Sequence, residues 1–302
     1  MTTSKPLISV VIPAYNYGAT LPRAVASVLR QLDGRGELLV IDDGSTDDTA
    51  AVLARLHQEY PQRFRSMCQT NAGPAVVRNR GLDESHGAFL VFLDADDELV
   101  DGSLPRLLEH IAANPDTRVV IAGHLSVHQG GKESLHMPPV LPRDPLSRLR
   151  GYLLDKTLAV SNGACAMHRE VFSVGRYPEA FRNAEDIPVF AQALGRFPCS
   201  RLEVPMARIY KHGDSLRHNV AYGLQVGERL VGEVFDSGRL PDCAQVLRRP
   251  FTAQRYLSLF RNAMLSGEKQ QAQRLYRQAI GADWRALLRW SYTRKAIKLW
   301  LS

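Results

Sequence analysis

Residues 88–99 read AFLVFLDADDEL, an apolar run followed by four carboxylates, Asp94, Asp96, Asp97 and Glu98, within five positions. The run is short, aromatic and aliphatic, and predicts a strand buried on both faces. Acids are poor strand formers and like charges repel, so their place at its end needs a cause. A divalent cation is one such cause. Mg²⁺ and Mn²⁺ take hard oxygen ligands, typically one or two carboxylates plus substrate phosphates. Asp94 and Asp96 are two apart, and an extended backbone would send both to one side. The competing explanation is an acidic turn capping a helix that starts near Leu104. Asp97 and Glu98 take that turn-and-cap reading in either case.

Three strand-like runs precede this one: Leu7–Ile12 (LISVVI), Glu37–Ile41 (ELLVI) and Phe64–Gln69. Between the first two, Leu21, Ala24, Val25, Val28, Leu29 and Leu32 mark one face of a helix, with Pro22 in its first turn. Thr46 or Asp47 caps a second helix to about His57, and Pro74 opens a third to about Leu82. This alternation predicts a parallel sheet with right-handed crossovers and helices on both faces. Ligands of such sheets bind beyond the carboxyl ends of the strands. PAYN, DDGS, QTNAG and DADD all fall there.

Beyond residue 100 the pattern is mixed. Strands are expected at Thr117–Ala122, Gly163–His168 and Arg201–Tyr210. Helices are expected at Leu146–Asp155 and Glu185–Arg196, and a loop at Gln129–Asp144. After about His218 the pattern is wholly helical, with helices expected at roughly 220–236, 241–266, 267–280 and 283–300. A boundary there separates residues 1–218, in halves of about 1–100 and 101–218, from a helical region 219–302.

The composition is that of a globular protein, 45% hydrophobic and 23% charged. The net charge of +7 is uneven. Gln245–Ser302 holds 12 Lys/Arg and 2 acids, a net of +10, which leaves −3 for the rest. A basic tail implies an anionic partner: a phosphorylated lipid, a membrane surface or nucleic acid. A solvated helical face is the plainer explanation, and nucleic-acid binding would leave the four converging loops unexplained. The N-terminus lacks a signal-peptide apolar region, and no window approaches the roughly 18 apolar residues of a spanning helix. The chain is therefore expected to be cytoplasmic and not integral to a membrane. Cys68, Cys165, Cys199 and Cys243 lack metal-type spacing and read as reduced core thiols.

Each polar motif alone has a structural explanation. Gly44 permits a tight turn, and Asp42, Asp43 and Asp47 suit a helix start. Asn71 and Gly73 form a turn. Arg78, one helical turn beyond Pro74, suits anionic oxygens but also a plain surface. Taken together, P-A-Y-N, D-D-G-S-x-D, N-x-G-x-x-x-x-R-N and D-A-D-D resemble the nucleotide-sugar domain of glycosyltransferase family 2. The resemblance is dense over residues 7–100 and looser to about 218.

The resemblance implies an inverting sugar transferase with an A-type fold: a Rossmann-like nucleotide-sugar domain on a mixed sheet, followed here by a helical extension. Pro13, Ala14 and Tyr15 would line the base pocket, and Asp42 or Asp43 would read a pyrimidine. Asn71 and Arg78 would support the nucleotide. Asp94, with Ala95 beside it, would meet ribose or the metal, and Asp96 would hold Mn²⁺ or Mg²⁺ on the diphosphate. The family's general base matches the Asn183-Ala184-Glu185-Asp186 stretch, with Asp186 first and Glu185 second. His212 would bind metal or diphosphate, and Lys211 would offset leaving-group charge. Missing acids at either place would have pointed to a non-catalytic binding protein.

Processive synthases of this kind carry Q-x-x-R-W. Here Arg289-Trp290 follows Ala286, which implies single addition. The general form resembles bacterial lipopolysaccharide-core transferases. That implies dTDP-rhamnose and an anionic glycolipid acceptor, with peripheral contact at the inner face of the cytoplasmic membrane. A UDP-hexose or UDP-N-acetylhexosamine donor is the alternative. The tail mixes Trp284, Trp290 and Trp300 with basic residues, which suits either a bilayer interface or packing on the protein.

Overall fold

Valine, isoleucine and leucine dominate the strands at the centre of the molecule, and their alternation divides the core in two. In the computed structural model, which describes residues 7–211 and 220–301, β1 spans Ile8–Ala14. Ile8, Val10 and Ile12 point to one face of the sheet and Val11 to the other. β2 (Gly36–Asp42) and β4 (Phe89–Phe92) divide in the same way. Helices α1 (Leu21–Leu29), α2 (Thr49–Glu59) and α4 (Ser103–Ala113) cover the first face. α3 (Pro74–Glu84) and α6 (Asp186–Arg196) cover the second.

The first four strands are parallel, in the order β3-β2-β1-β4, with β3 at Arg65–Cys68. The register aligns Ala14 with Asp42 and Asp42 with Cys68. Their carboxyl ends therefore meet along one edge. The chain order reverses between β1 and β4, the place where ligands settle in such sheets.

The remaining strands mix directions. β8 (Cys165–His168) runs antiparallel to β4 and to β6 (Val119–Val127). β6 pairs in parallel with β9 (Cys199–Tyr210), and β9 in turn holds β5 (Glu98–Leu99) antiparallel. β5 lies inside the acid-rich stretch, where a turn and cap were expected. α4 starts instead behind Gly102, with no side-chain cap. A hairpin strand β7 (Glu133–His136) pairs with β6 inside the stretch read as a loop. The helix expected over 146–155 is α5 (Pro145–Arg150), capped by Asp144, followed by one wider turn over Gly151–Asp155.

α7 (Val220–Phe235) kinks at Gly227. α8 (Arg248–Leu265), α9 (Lys269–Ala282) and α10 (Trp290–Leu301) follow. The last predicted helix is divided at residues 284–289, where a short 3₁₀ turn ends before α10. Leu230, Val234 and Phe251 join the core beneath the sheet. Leu257, Phe260, Tyr276 and Leu299 build a separate third core. The boundary expected at 218 falls outside the described residues. Cys165 is buried and Cys199 half-buried, but Cys68 and Cys243 are exposed. The expectation of four core thiols is thus corrected for these two, which lie on the edge strand β3 and in the turn before α8.

Candidate active site

Four loops meet at the carboxyl edge, and the residues of the motifs tie them together. Asn16 adopts φ +59, and its side-chain oxygen accepts from the Thr46 amide at 2.7 Å. The Asn16 amide donates to Ser45 Oγ at 2.9 Å. This binds PAYN to DDGS. Asp47 reaches back to accept the Gly18 amide at 3.0 Å and the Thr49 hydroxyl at 2.5 Å. It thus ties the start of α2 to the first loop.

Asp42 and Asp43 are both buried. Asp42 accepts the Ser45 amide and hydroxyl at 2.9 and 2.6 Å. Asp43 accepts the Gln69 side chain at 2.8 Å and the Ala72 and Gly73 amides at 2.9 and 2.8 Å. Its carboxylate organises the QTNAG loop. Gly44 sits between the two loops at φ +71, where a Cβ would stand 2.9 Å from the Asn71 amide nitrogen. Only glycine fits that approach.

The acid stretch is a turn rather than an extended strand, since the Asp97 amide donates to the Asp94 carbonyl at 3.0 Å. The strand geometry expected to align Asp94 with Asp96 is therefore absent. The turn is clamped from below by α1. Thr20 donates to the Ala95 carbonyl at 2.9 Å, and Arg23 donates to the Asp96 carbonyl. Arg23 lies over the Tyr210 ring at 3.7 Å. The Ala95 methyl is buried in the core, so that residue contributes through its backbone.

Asp97 is buried and accepts the Tyr210 amide at 2.9 Å. Burial, then the charges of Asp94 and Asp96, push its carboxyl up to about 8. Glu98 accepts the Tyr210 hydroxyl at 2.9 Å. These two acids are structural, as expected, but they pin β9 and do not cap α4. Burial and the same acid cluster raise the Tyr17 hydroxyl to about 12, so Tyr17 borders the acids.

Arg78 connects the two halves. It is buried, and its Nη2 lies 3.0 Å from Asp94 Oδ1 while its Nη1 lies 2.5 Å from Glu185 Oε1, 107 residues further on. Burial works against its charge, but Asp94 and Glu185 raise its pKa above the ordinary value. Next to it, Asn79 donates to the Tyr177 carbonyl at 2.9 Å and accepts the Tyr177 amide at 3.1 Å, fixing the loop that leads to α6. Ala184, immediately before the acid pair, is held at φ +63, a conformation that costs an alanine roughly 1–2 kcal/mol. Asp186 opens α6 and is half-buried, where the helix dipole favours its charge.

Around this centre, Tyr15 is exposed, Pro13 half-buried and Ala14 buried. Asn71 is exposed and accepts from Arg182 Nη1 at 3.4 Å. The Lys211 side chain is exposed, and its charge acts to lower the Asp97 pKa. His212 lies outside the described residues. Among the described residues no three His, Cys, Asp or Glu side chains converge as a complete cation cage. Asp94 and Asp96 are both only partly buried. After burial, their charges are what raise the neighbouring Asp97 carboxyl, and such a donor set suits one divalent cation shared with substrate phosphates.

Sequence reasoning missed Arg23, Tyr17 and Arg182. The first two lie within ten residues of the PAYN motif but carry no spacing signal. Arg182 lies three residues before Glu185, the one hint available.

The sequence model of Glycosyl transferase family 2 matches residues 9–175, more than half the chain. A relative from Nostoc sp., an uncharacterized glycosyltransferase, is 34% identical over 128 residues, 42% of this chain and 39% of that protein. The Campylobacter jejuni GalNAc(5)-diNAcBac-PP-undecaprenol beta-1,3-glucosyltransferase is 38% identical over 106 residues, 34% of each chain. The chain thus spans well under half the length of these curated relatives. Among solved structures, S. aureus TarS 1-349 superposes with a TM-score of 0.67 at 18% identity, covering 97% of this chain and 88% of that one. TarS has also been crystallised with UDP-GlcNAc. The Pyrobaculum calidifontis mannosyltransferase, in complex with GDP-Man and Mn²⁺, gives 0.56 at 18% identity, covering 94% and 88%. At these identities the structures speak for the fold.

Proposed function

The chain belongs to glycosyltransferase family 2 and has its A-type fold, and from that premise we propose that it transfers one sugar, with inversion, from a nucleotide-diphosphate sugar to a hydroxyl of a cell-surface glycan or glycolipid. The observation that carries this reading is the double ion pair of Arg78, which brings the DADD turn and the Glu185-Asp186 pair to one place.

On this reading the base and ribose lie against the PAYN and DDGS loops, with Tyr15 and Tyr17 at the rim. Asp94 and Asp96 would hold Mn²⁺ or Mg²⁺, which when bound would supply positive charge to the diphosphate of the donor. Lys211, directly after β9, adds positive charge. Glu185, fixed by Arg78, acts as a positioning residue. Asp186, half-buried at the helix start, takes the proton of the attacking hydroxyl. The hydroxyl oxygen bonds to the anomeric carbon as the bond to the diphosphate oxygen breaks, through an oxocarbenium-like state, with no covalent enzyme intermediate. The strain at Ala184 supports this assignment, because strained backbone gathers where a side chain must be aimed.

For the donor, dTDP-rhamnose with a lipopolysaccharide-core acceptor stands beside a UDP-hexose or UDP-N-acetylhexosamine. The UDP-GlcNAc of TarS and the glucosyl transfer of the C. jejuni relative favour the second. Asp186→Asn tests the mechanism. Calorimetry with nucleotide-sugars and Mn²⁺ should give a donor Kd within about twofold of wild type. Transfer should fall by 10²–10⁴-fold, the usual contribution of a general base. Normal transfer by this variant would assign the base to another residue.

A further inference from the structure

Among the described residues, the stretch from Trp284 to Trp300 carries the densest group of exposed apolar side chains. Trp284 is 62% exposed, Leu288 69% and Trp290 67%, and Leu287, Ile297 and Trp300 are exposed as well. Between Trp284 and Leu301 there are five Lys/Arg and no Asp/Glu.

The 3₁₀ turn and α10 present this surface for a definite reason. Ala296 and Leu299 face the third core, and Tyr292 packs against it. The opposite side of the helix carries Trp290, Arg294 and Ile297, spaced i, i+4, i+7, and all three are exposed. Lys298 and Arg289 flank them and are exposed too. Arg285 lies 6.0 Å over the Trp284 ring. On the flank, Trp300 packs edge-on to Tyr276 at 5.7 Å, with Arg277 at 5.7 Å. Large apolar bodies thus alternate with cations along the 3₁₀ turn and the exposed side of α10.

We propose that this surface docks reversibly on an anionic lipid bilayer, with the tryptophans at the headgroup level and the cations on lipid phosphates. Indole rings favour that interface, and anionic leaflets attract clustered Lys and Arg. The surface lies on the membrane and does not cross it, since no helix among the described residues is long and apolar enough to span. A second copy of the chain is a poorer occupant. A twofold contact would set the five cations against themselves. The one neighbouring acid, Asp283, is nearly buried at 9% exposure and already faces Arg285 at 4.0 Å. The inference concerns a surface apart from the proposed transfer chemistry and stands or falls without it.

The test is co-sedimentation of the full chain with phosphatidylglycerol-containing vesicles and with pure phosphatidylcholine vesicles. Binding is expected to the first and not the second, and to weaken as salt rises. The pair Trp284→Ala and Trp290→Ala should abolish most binding. Arg289→Gln and Arg294→Gln should each weaken it roughly fivefold, about 1 kcal/mol per cation near an anionic surface. All four positions are exposed, so thermal midpoints should stay near wild type. Three results would overturn the proposal: equal partition to both vesicles, undiminished binding by the tryptophan variants together with capture by heparin, or lipid-free dimerisation that the tryptophan variants break.

Discussion

Arg78 shows what a motif residue does once folded. In the sequence it was an arginine one helical turn past a proline, suited to a phosphate or to nothing in particular. In the structure it is a buried cation whose two terminal nitrogens each hold a carboxylate, Asp94 and Glu185. Removing one member of a buried charge pair typically costs 3–5 kcal/mol, because the other is left uncompensated. Asp94 is half exposed, its side chain 45% accessible, so the lower end applies. Arg78→Met is expected to lose about 3 kcal/mol in urea unfolding. Arg78→Lys should fall between, since one ammonium cannot match the planar two-pronged fork. A Met variant as stable as wild type would show that the two carboxylates do not depend on the guanidinium. The residue types of the proposed site were legible because the proposed chemistry calls for them: acids for a cation, an acid pair for a base. Their partners were not. The link from Arg78 to Glu185 spans 107 residues, and no local pattern announces it. The same applies to Arg23, whose helical position gives no sign that its guanidinium supports the Asp96 carbonyl.

At the scale of elements, the parallel half of the sheet was legible and the mixed half was only partly so. β1, β2 and β4 are buried on both faces, so their sequences are continuous apolar runs that few other structures explain. β5 and β7 have two and four residues and pair at edges, where burial writes little into the sequence. The DADD stretch misled in one respect. Its alternation suited an extended strand, but a hydrogen-bonded turn won because Asp97 is drawn to the Tyr210 amide. One tie between elements is polar and pH-sensitive. Glu37 on β2 accepts Ser9 Oγ of β1 at 2.6 Å, the His86 amide before β4 at 2.5 Å and Arg65 of β3 at 3.1 Å. Burial pushes its carboxyl up, but these bonds outweigh burial and bring it from 4.5 to about 2. A depressed carboxyl stabilises the fold above its unfolded value and loses that contribution as pH falls toward 2. Discounted for partial exposure, the effect is about 1–2 kcal/mol. Glu37→Gln should therefore be less stable than wild type at pH 7, and the gap should narrow as pH falls from 5 toward 2. Urea midpoints across that range measure it, and a constant gap would mean that the charge is not responsible.

At the scale of the whole molecule, three cores share one chain. Two lie on either face of the sheet, and α7 with the beginning of α8 is built into the lower one. The third belongs to the rest of α8 with α9 and α10. The helical region is thus joined to the sheet through Leu230, Val234 and Phe251, yet it ends in a body with its own interior. The periodicity of the sequence located these helices, because each keeps an apolar stripe. It did not say which stripe meets which, since any leucine stripe fits another. We propose on this division that the terminal helices open independently of the sheet. Phe260 is fully buried at the centre of the third core and packs on Tyr276 at 5.4 Å and Tyr292 at 6.3 Å. Phe260→Ala should cost about 3–5 kcal/mol in that core. Hydrogen exchange is then expected to quicken in α9 and α10 and to stay unchanged in β1, β2 and β4, with donor affinity retained. Exchange rising equally across the sheet would mean that the molecule unfolds as one unit. The proposed membrane surface would then be tied to the stability of the proposed donor site, because loosening α10 would loosen its loops.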